Sequence, residues 1–255
     1  MIEVNNLHKY FDDTHVLDGI TTSFEKGKTN LIIGQSGSGK TVFMKCLLGL
    51  LSPEEGTISY DGRRFSKLSL DERRNLRQEM GMVFQGSALF DSMTVEGNVM
   101  FPLEMFTSQS RSEMEDRVNF VLDRVNLVDA HKKFPAEISG GMQKRVAIAR
   151  AIVMNPKYLF CDEPNSGLDP NTAIIIDNLI QEITKEYDII TVINSHDMNS
   201  VMEIGEKIIF LRNGIKEWEG TNKDIFRTDN EAITNFVYSS ELYKKVRQVY
   251  LDDSN

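Results

Sequence analysis

Along the first sixty residues apolar and polar positions alternate in short stretches, Ile2 to Leu7, Val16 to Phe24 and Thr57 to Tyr60, separated by Asp12-Asp13, Lys26-Gly27 and Pro53-Glu54-Glu55-Gly56. A period of two punctuated by turn residues predicts strands. Leu31-Ile32-Ile33 runs into a glycine-rich turn and Val42 to Leu50 reads as helix, so strand, loop and helix follow one another. From about 66 to 155 the pattern turns mainly helical. Ser69 with Glu72 and Ser110 with Glu113 fit the S-x-x-E capping box, and Met114, Val118, Val121, Leu122 and Val125 keep helical spacing after the second. Strand character returns at Tyr158 to Cys161, a helix is expected over Pro170 to Lys185, and Ile189 to Ile193 is β-branched again. Such alternation predicts a mostly parallel sheet with helices on its faces. Lys207 to Leu211 and Ile215 to Trp218 flank Arg212-Asn213-Gly214, a hairpin signal.

Composition narrows the class without changing this picture. The chain has 255 residues with 29 Lys plus Arg against 38 Asp plus Glu, a net charge of −9. That balance argues against the broad basic footprint that nucleic-acid binders need. Apolar residues at 40% and charged residues at 26% exclude disordered and fibrous classes. The best membrane-helix candidate, Val42 to Leu51, is short and carries Lys45, and the start Met1-Ile2-Glu3-Val4 lacks the basic and apolar stretches of a secretory signal. A cytoplasmic protein is expected. Cys46 and Cys161 sit among apolar neighbours and read as small buried residues, not as a metal pair or disulfide.

Three stretches carry chemistry. Gly34-Gln35-Ser36-Gly37-Ser38-Gly39-Lys40-Thr41 matches G-x-x-x-x-G-K-[ST] between a strand and a helix. Its backbone N–H groups and helix N-terminus would cradle phosphates, Lys40 would reach the β and γ phosphates, and Thr41 would offer a hydroxyl to Mg²⁺. Tyr158-Leu159-Phe160-Cys161-Asp162-Glu163 is an apolar strand ending in two carboxylates. Neighbouring side chains on an extended strand diverge, so Asp162 could hold the magnesium shell while Glu163 takes a proton from an attacking water. Ile138-Ser139-Gly140-Gly141-Met142-Gln143 precedes Lys144 to Ile152, a helix that Ser139 would cap.

In this order the motifs resemble the nucleotide-binding subunits of ABC transporters over about residues 1 to 225. Walker A is Gly34 to Thr41, the Q-loop glutamine is Gln85, the signature is Ile138 to Met142, and Walker B is Tyr158 to Asp162 followed by Glu163. The D-loop is Ser166-Gly167-Leu168-Asp169 and the switch histidine is His196. The resemblance implies an α/β fold, a RecA-like P-loop NTPase core with an N-terminal antiparallel β subdomain and an inserted helical subdomain. The implied division is 1–90 with 157–225 for the core, 91–156 for the helical subdomain bearing the signature, and 226–255 for a helical tail. It implies ATP and Mg²⁺ as cofactors, Glu163, His196 and Lys40 as catalytic residues, and Thr41, Gln85 and Asp162 around the metal. Phe11, or its neighbour Tyr10, would stack on adenine, and Ser139, Gly140 and Gly141 would contact ATP held by a second copy of the chain. The expected partners are therefore that second copy, head to tail, and a separate multispan permease, with no nucleic acid and a location on the inner face of the cell membrane.

Met142 stands where that family usually has glutamine. A Gly-Gly-Met signature, with Phe84 to Val95 and Ser195 to Val201, is similar to the ATPases of Mla-type (MCE) phospholipid transport systems, which implies a lipid substrate and an MCE-type lipid-binding component. Asn165 for threonine after Glu-Pro, and Gly97 at an often bulkier position, depart from the pattern. The alternatives are an importer ATPase for an amino acid, metal ion or other small solute, and a soluble mechanical ABC ATPase acting on ribosomes or DNA. The second lacks support here, because the chain holds one cassette and only 54 positions separate Gln85 from Ser139. In the tail, Ser239 or Ser240 could cap a short helix carrying Leu242, Val246 and Val249.

Overall fold

The computed structural model describes residues 1–238, 243–245 and 247. In chain order its elements are β1 (Ile2–Phe11), β2 (Thr14–Phe24), β3 (Thr29–Ile33), α1 (Lys40–Leu47), β4 (Glu55–Tyr60), β5 (Arg63–Arg64), α2 (Leu70–Gln78), β6 (Met80–Val83), α3 (Val95–Phe106) and α4 (Arg111–Arg124). There follow α5 (Gly140–Ile152), β7 (Tyr158–Asp162), α6 (Pro170–Glu186), β8 (Ile190–Ser195), α7 (Met198–Ile204), β9 (Lys207–Arg212), β10 (Ile215–Gly220), α8 (Asn222–Arg227) and α9 (Glu231–Val237). The chain forms two compact units, one of residues 1–67 with 194–255 and one of residues 68–193.

In the first unit β1 pairs antiparallel with both β2 and β4, and β4 with β5, making a sheet whose inward side chains include Ile2, Val4, Leu17, Ile20, Ile58 and Tyr60. β3 is buried at every position, runs parallel to β9, and feeds the glycine-rich loop into α1. A strand covered on both faces needs a continuous apolar run, which Leu31-Ile32-Ile33 supplies. β9 and β10 form the expected hairpin, with Asn213 (φ 50) and Gly214 (φ 78) both left-handed at its turn. The described tail residues pack on this unit: the Phe236 ring lies 5.1 Å from that of Phe210, Tyr238 donates to the Ile225 carbonyl, and Tyr243 donates to Asn199. The tail stripe of Leu242, Val246 and Val249, with its caps Ser239 and Ser240, lies outside the described residues.

The second unit contains α2 to α6 and the parallel pair β6 and β7, with Met80 opposite Tyr158 and Val83 opposite Cys161. Both capping boxes form, since Ser69 and Ser110 accept from the N–H groups of Glu72 and Glu113 while each glutamate accepts from the cap's own N–H. β6 interrupts the stretch expected to be mainly helical. Pairing with β7 overrides the weak strand preference of Met80-Gly81-Met82. Cys46 and Cys161 are both buried and free, and burial pushes the Cys46 thiol up to about 11 and Cys161 higher still. No helix among the described residues is long and apolar enough to cross a membrane.

Candidate functional site

The first unit carries the loop between β3 and α1. Gln35, Ser36 and Gly37 are exposed, whereas Ser38, Gly39 and Lys40 are buried at its base. Lys40 Nζ donates to the carbonyls of Gly34 at 2.8 Å and Gln35 at 3.0 Å, so its cation is held across the loop that precedes it. Gly34 (φ +153) cannot be replaced cheaply, because a Cβ there would sit 2.3 Å from the Leu211 carbonyl oxygen. Two observations fit a phosphate with its magnesium. The Ser38 hydroxyl is buried without a hydrogen-bond partner among the described residues. Thr41, in the first turn of α1, keeps an exposed side chain.

Elsewhere in that unit His196 is exposed just after β8, ahead of the Asp197 cap of α7. Phe11 is 43% exposed with an open ring, while Tyr10 is half-buried and stacked on His15 at 4.1 Å between ring centroids. The free face belongs to Phe11, although Lys9 Nζ lies 5.1 Å from its centroid on one side.

The second unit brings the consecutive carboxylates at the end of β7 together with a glutamine from a separate segment. β7 ends at Asp162, and Glu163 adopts φ 48. The pleat expected to separate the two acids therefore does not: a left-handed turn does, because the strand stops one residue sooner. That conformation costs a non-glycine residue about 1 kcal/mol or more. Gln85 Nε2 donates to Glu163 Oε2 at 2.9 Å and to Ser166 Oγ at 3.3 Å, so the Q-loop glutamine and the carboxylate meet directly.

Cations from α5 hold the Gln85 loop in place. Lys144 Nζ donates to the Gln85 carbonyl, and Arg150 donates to the carbonyls of Ser87 and Ala88 at 2.8 Å each. Ser87 and Ala88 are consecutive left-handed residues, with φ 61 and 48. Burial pulls the Lys144 ammonium below its usual range, partly offset by the nearby Cys161 and Glu163. Buried Asn98 bonds the N–H and carbonyl of Phe90 and the carbonyls of Met93 and Thr94, fixing the segment beyond. Lys144, Arg150 and Asn98 carry no local motif, and Ser166 is legible only as part of the D-loop; α5 bears three basic residues, Lys144, Arg145 and Arg150, and nothing in the sequence says which of them reach the Gln85 loop.

Ser139 caps α5 by accepting from Met142 N–H, and Gly140 and Gly141 open that helix. Gln143, next to the unusual Met142, turns away to donate to the Pro135 carbonyl. Asp169 caps α6, accepting from Asn171 N–H, Thr172 N–H and Thr172 hydroxyl, and these bonds, the hydroxyl's foremost, lower its pKa. Asn165 is buried and donates to Asp177 at 3.1 Å, an amide task that threonine could not perform with the same reach.

Residues 17–166 match the ABC transporter family. The chain belongs to that family. It is 42% identical over 234 residues to the methionine import ATP-binding protein of Carboxydothermus hydrogenoformans, covering 90% of this chain and 69% of that one. It is 37% identical over 236 residues to a probable ribonucleotide transport ATP-binding protein of Mycobacterium tuberculosis, covering 92% of this chain and 66% of that one. Among solved structures, a bacterial ABC transporter cassette determined as a dimer has a TM-score of 0.79 at 31% identity, covering 87% of this chain and 99% of that one. A Clostridium perfringens subunit of an ABC transporter complex reaches 0.84 at 29% identity, with 98% of each chain covered. The same dimeric cassette is known in a post-hydrolysis state with ADP and Pi, with a TM-score of 0.78 at 30% identity, covering 87% of this chain and 99% of that one. The fold is that of an ABC ATPase cassette, and the protein is an ATPase subunit.

Proposed function

We propose that this ATPase powers an ABC importer of a small solute, with an amino acid of the methionine kind as the leading substrate class. The observation that carries the substrate is the 42% identity to a methionine import subunit over 90% of the chain. These relatives favour the small-solute alternative over the phospholipid reading, and an MCE-type component has no support among them. The lipid reading retains the resemblance carried by Met142 in the signature, Phe84 to Val95 and Ser195 to Val201, and is kept as an arm of the test.

The chemistry follows from the residues above. Lys40 neutralises the β and γ phosphates, the loop from Gly34 to Thr41 cradles them, and Phe11 offers its open ring to adenine. Glu163, oriented by Gln85, accepts a proton from the water whose oxygen attacks the γ-phosphorus while the bond to the bridging oxygen breaks and ADP leaves. His196 positions that water. Mg²⁺, held by Thr41, Asp162 and Gln85, would neutralise charge on the phosphate oxygens.

Ser139, Gly140 and Gly141 complete the site of a second copy in a head-to-tail dimer, Asp169 belongs to the same interface, and a separate permease supplies the membrane path. The division into 1–90 with 157–225, 91–156 and 226–255 belongs to this reading, as does a place on the inner face of the membrane. In cells lacking the gene, uptake of radiolabelled methionine and related amino acids should fall and return with the wild-type gene but not with Glu163→Gln. Normal uptake together with altered envelope lipid distribution would overturn the importer reading in favour of the lipid one.

A further inference from the structure

The sheet of β1 and β2 carries a group of side chains that ATP hydrolysis does not use. On β1 the buried positions are Ile2 and Val4, then Leu7 and Lys9, because the ladder slips between Val4 and Leu7. The slip leaves Asn6, His8 and Tyr10 off the buried face. On β2, Leu7 pairs with Ile20 and Lys9 with Leu17, so two residues, Asp18 and Gly19, stand opposite His8 alone. Two against one is a β-bulge, which re-aims side chains, and the next register pair sets Tyr10 opposite His15.

The outcome is a converging trio. His8 Nδ1 lies 3.2 Å from His15 Nε2 and 3.4 Å from Asp18 Oδ1, and His15 Nε2 lies 3.7 Å from the same oxygen. A tetrahedral ion with bonds of about 2.0–2.1 Å to nitrogen and oxygen requires ligand atoms about 3.3 Å apart. The three observed separations scatter around that edge length, so the trio already outlines one face of such a tetrahedron. The orientation is supported from outside: Asn6 Oδ1, which can only accept, lies 3.3 Å from His8 Nε2. An Nε2 proton donated to Asn6 Oδ1 would leave the Nδ1 lone pair turned toward the trio, the arrangement that orients metal-bound imidazoles. The Tyr10 ring stacked on His15 fixes the second imidazole.

We infer that His8, His15 and Asp18 form a binding site for a divalent transition metal of the Zn²⁺, Co²⁺ or Ni²⁺ class. Two imidazoles and a carboxylate suit these ions and not Mg²⁺ or Ca²⁺, which take oxygen ligands. The fourth position is left to water. His8 and His15 lie on either side of the turn between β1 and β2, so the ion ties the two strands together there.

The test uses the full chain without nucleotide, titrated with Zn²⁺ by calorimetry and with Co²⁺ by its visible absorption. One equivalent should bind, with a tetrahedral Co²⁺ spectrum. His15→Ala and Asp18→Asn should lose it while keeping the wild-type circular dichroism, and Asn6→Ala should weaken it by about 10- to 100-fold. His131→Ala, in the second unit, should keep the full equivalent. Absence of saturable binding, or one equivalent retained by His8→Ala/His15→Ala, or its loss in His131→Ala, would overturn the site.

Discussion

The loop after β3 and the loop after β6 are both irregular, both enter the chemistry, and are held by opposite means. The first organises itself: Lys40 bonds the carbonyls of Gly34 and Gln35, and Ser38 N–H donates to the Gln35 carbonyl, all within seven positions. The second depends on side chains from afar, with Lys144 and Arg150 on α5 reaching back 59 to 63 positions to the carbonyls of Gln85, Ser87 and Ala88. A loop held mainly by its own groups can be written as a contiguous motif, even though Gly214 N–H also donates to the Ser38 carbonyl at 3.2 Å. One that borrows its partners cannot, and its geometry depends on the packing that delivers them.

That contrast can be tested in order of expected effect. Glu163→Gln removes the base that the second loop orients but keeps its hydrogen-bonding shape, so turnover should drop by about 10² to 10⁴-fold with ATP binding preserved. Steady-state phosphate release beside nucleotide-binding titration measures this, and unchanged turnover would deny Glu163 its role. Lys40→Ala should lower kcat by about 10² to 10³-fold through lost electrostatic stabilisation, and it should also lower the melting temperature, because it removes the two bonds to the Gly34 and Gln35 carbonyls that hold the loop. An unchanged melting temperature would mean that the first loop does not depend on Lys40.

Arg150→Ala should act on structure first. It removes two charge-assisted bonds to left-handed carbonyls, a loss of about 3 kcal/mol read in denaturant unfolding, and hydrogen exchange over 85–90 should accelerate. Unaltered exchange there would break the comparison. The smallest effect belongs to a distant reference pair. Lys207 Nζ, almost buried, bonds Glu219 at 2.9 Å, and Lys216 bonds the same carboxylate at 2.7 Å. Burial pushes the Glu219 pKa up, but the two ammonium groups outweigh it and the net shift is downward. A lowered carboxylate contributes stability that is full above its unfolded value, about 4.3, and is lost as pH falls through the lower folded value. Glu219→Gln should therefore cost about 1 kcal/mol at neutral pH, discounted for its open side, and flatten the acid limb of stability against pH. An unchanged acid limb would show that the ion pairs carry nothing.

What the sequence by itself determined lies where the physics is local. Both S-x-x-E boxes, the Asn213-Gly214 turn, the buried run of β3 and the glycine-rich loop each depend on contacts within a few residues, and each stands where the pattern put it. The starts of α1 at Lys40 and α5 at Gly140 were less legible, since glycine there obscures the helical pattern that capping completes. Tertiary structure decided the rest. β6 is a strand because β7 offers it a ladder and because Gly81 lets the Ala151 carbonyl approach to within 2.3 Å of where a Cβ would be, a contact invisible in Met80-Gly81-Met82-Val83. The same holds for the left-handed turn at Glu163, the Gln85 bond to it, and the bulge that gathers His8, His15 and Asp18. In each case the deciding partner is remote in the chain or set by register, and no local preference of the residues involved encodes the distance at which it arrives.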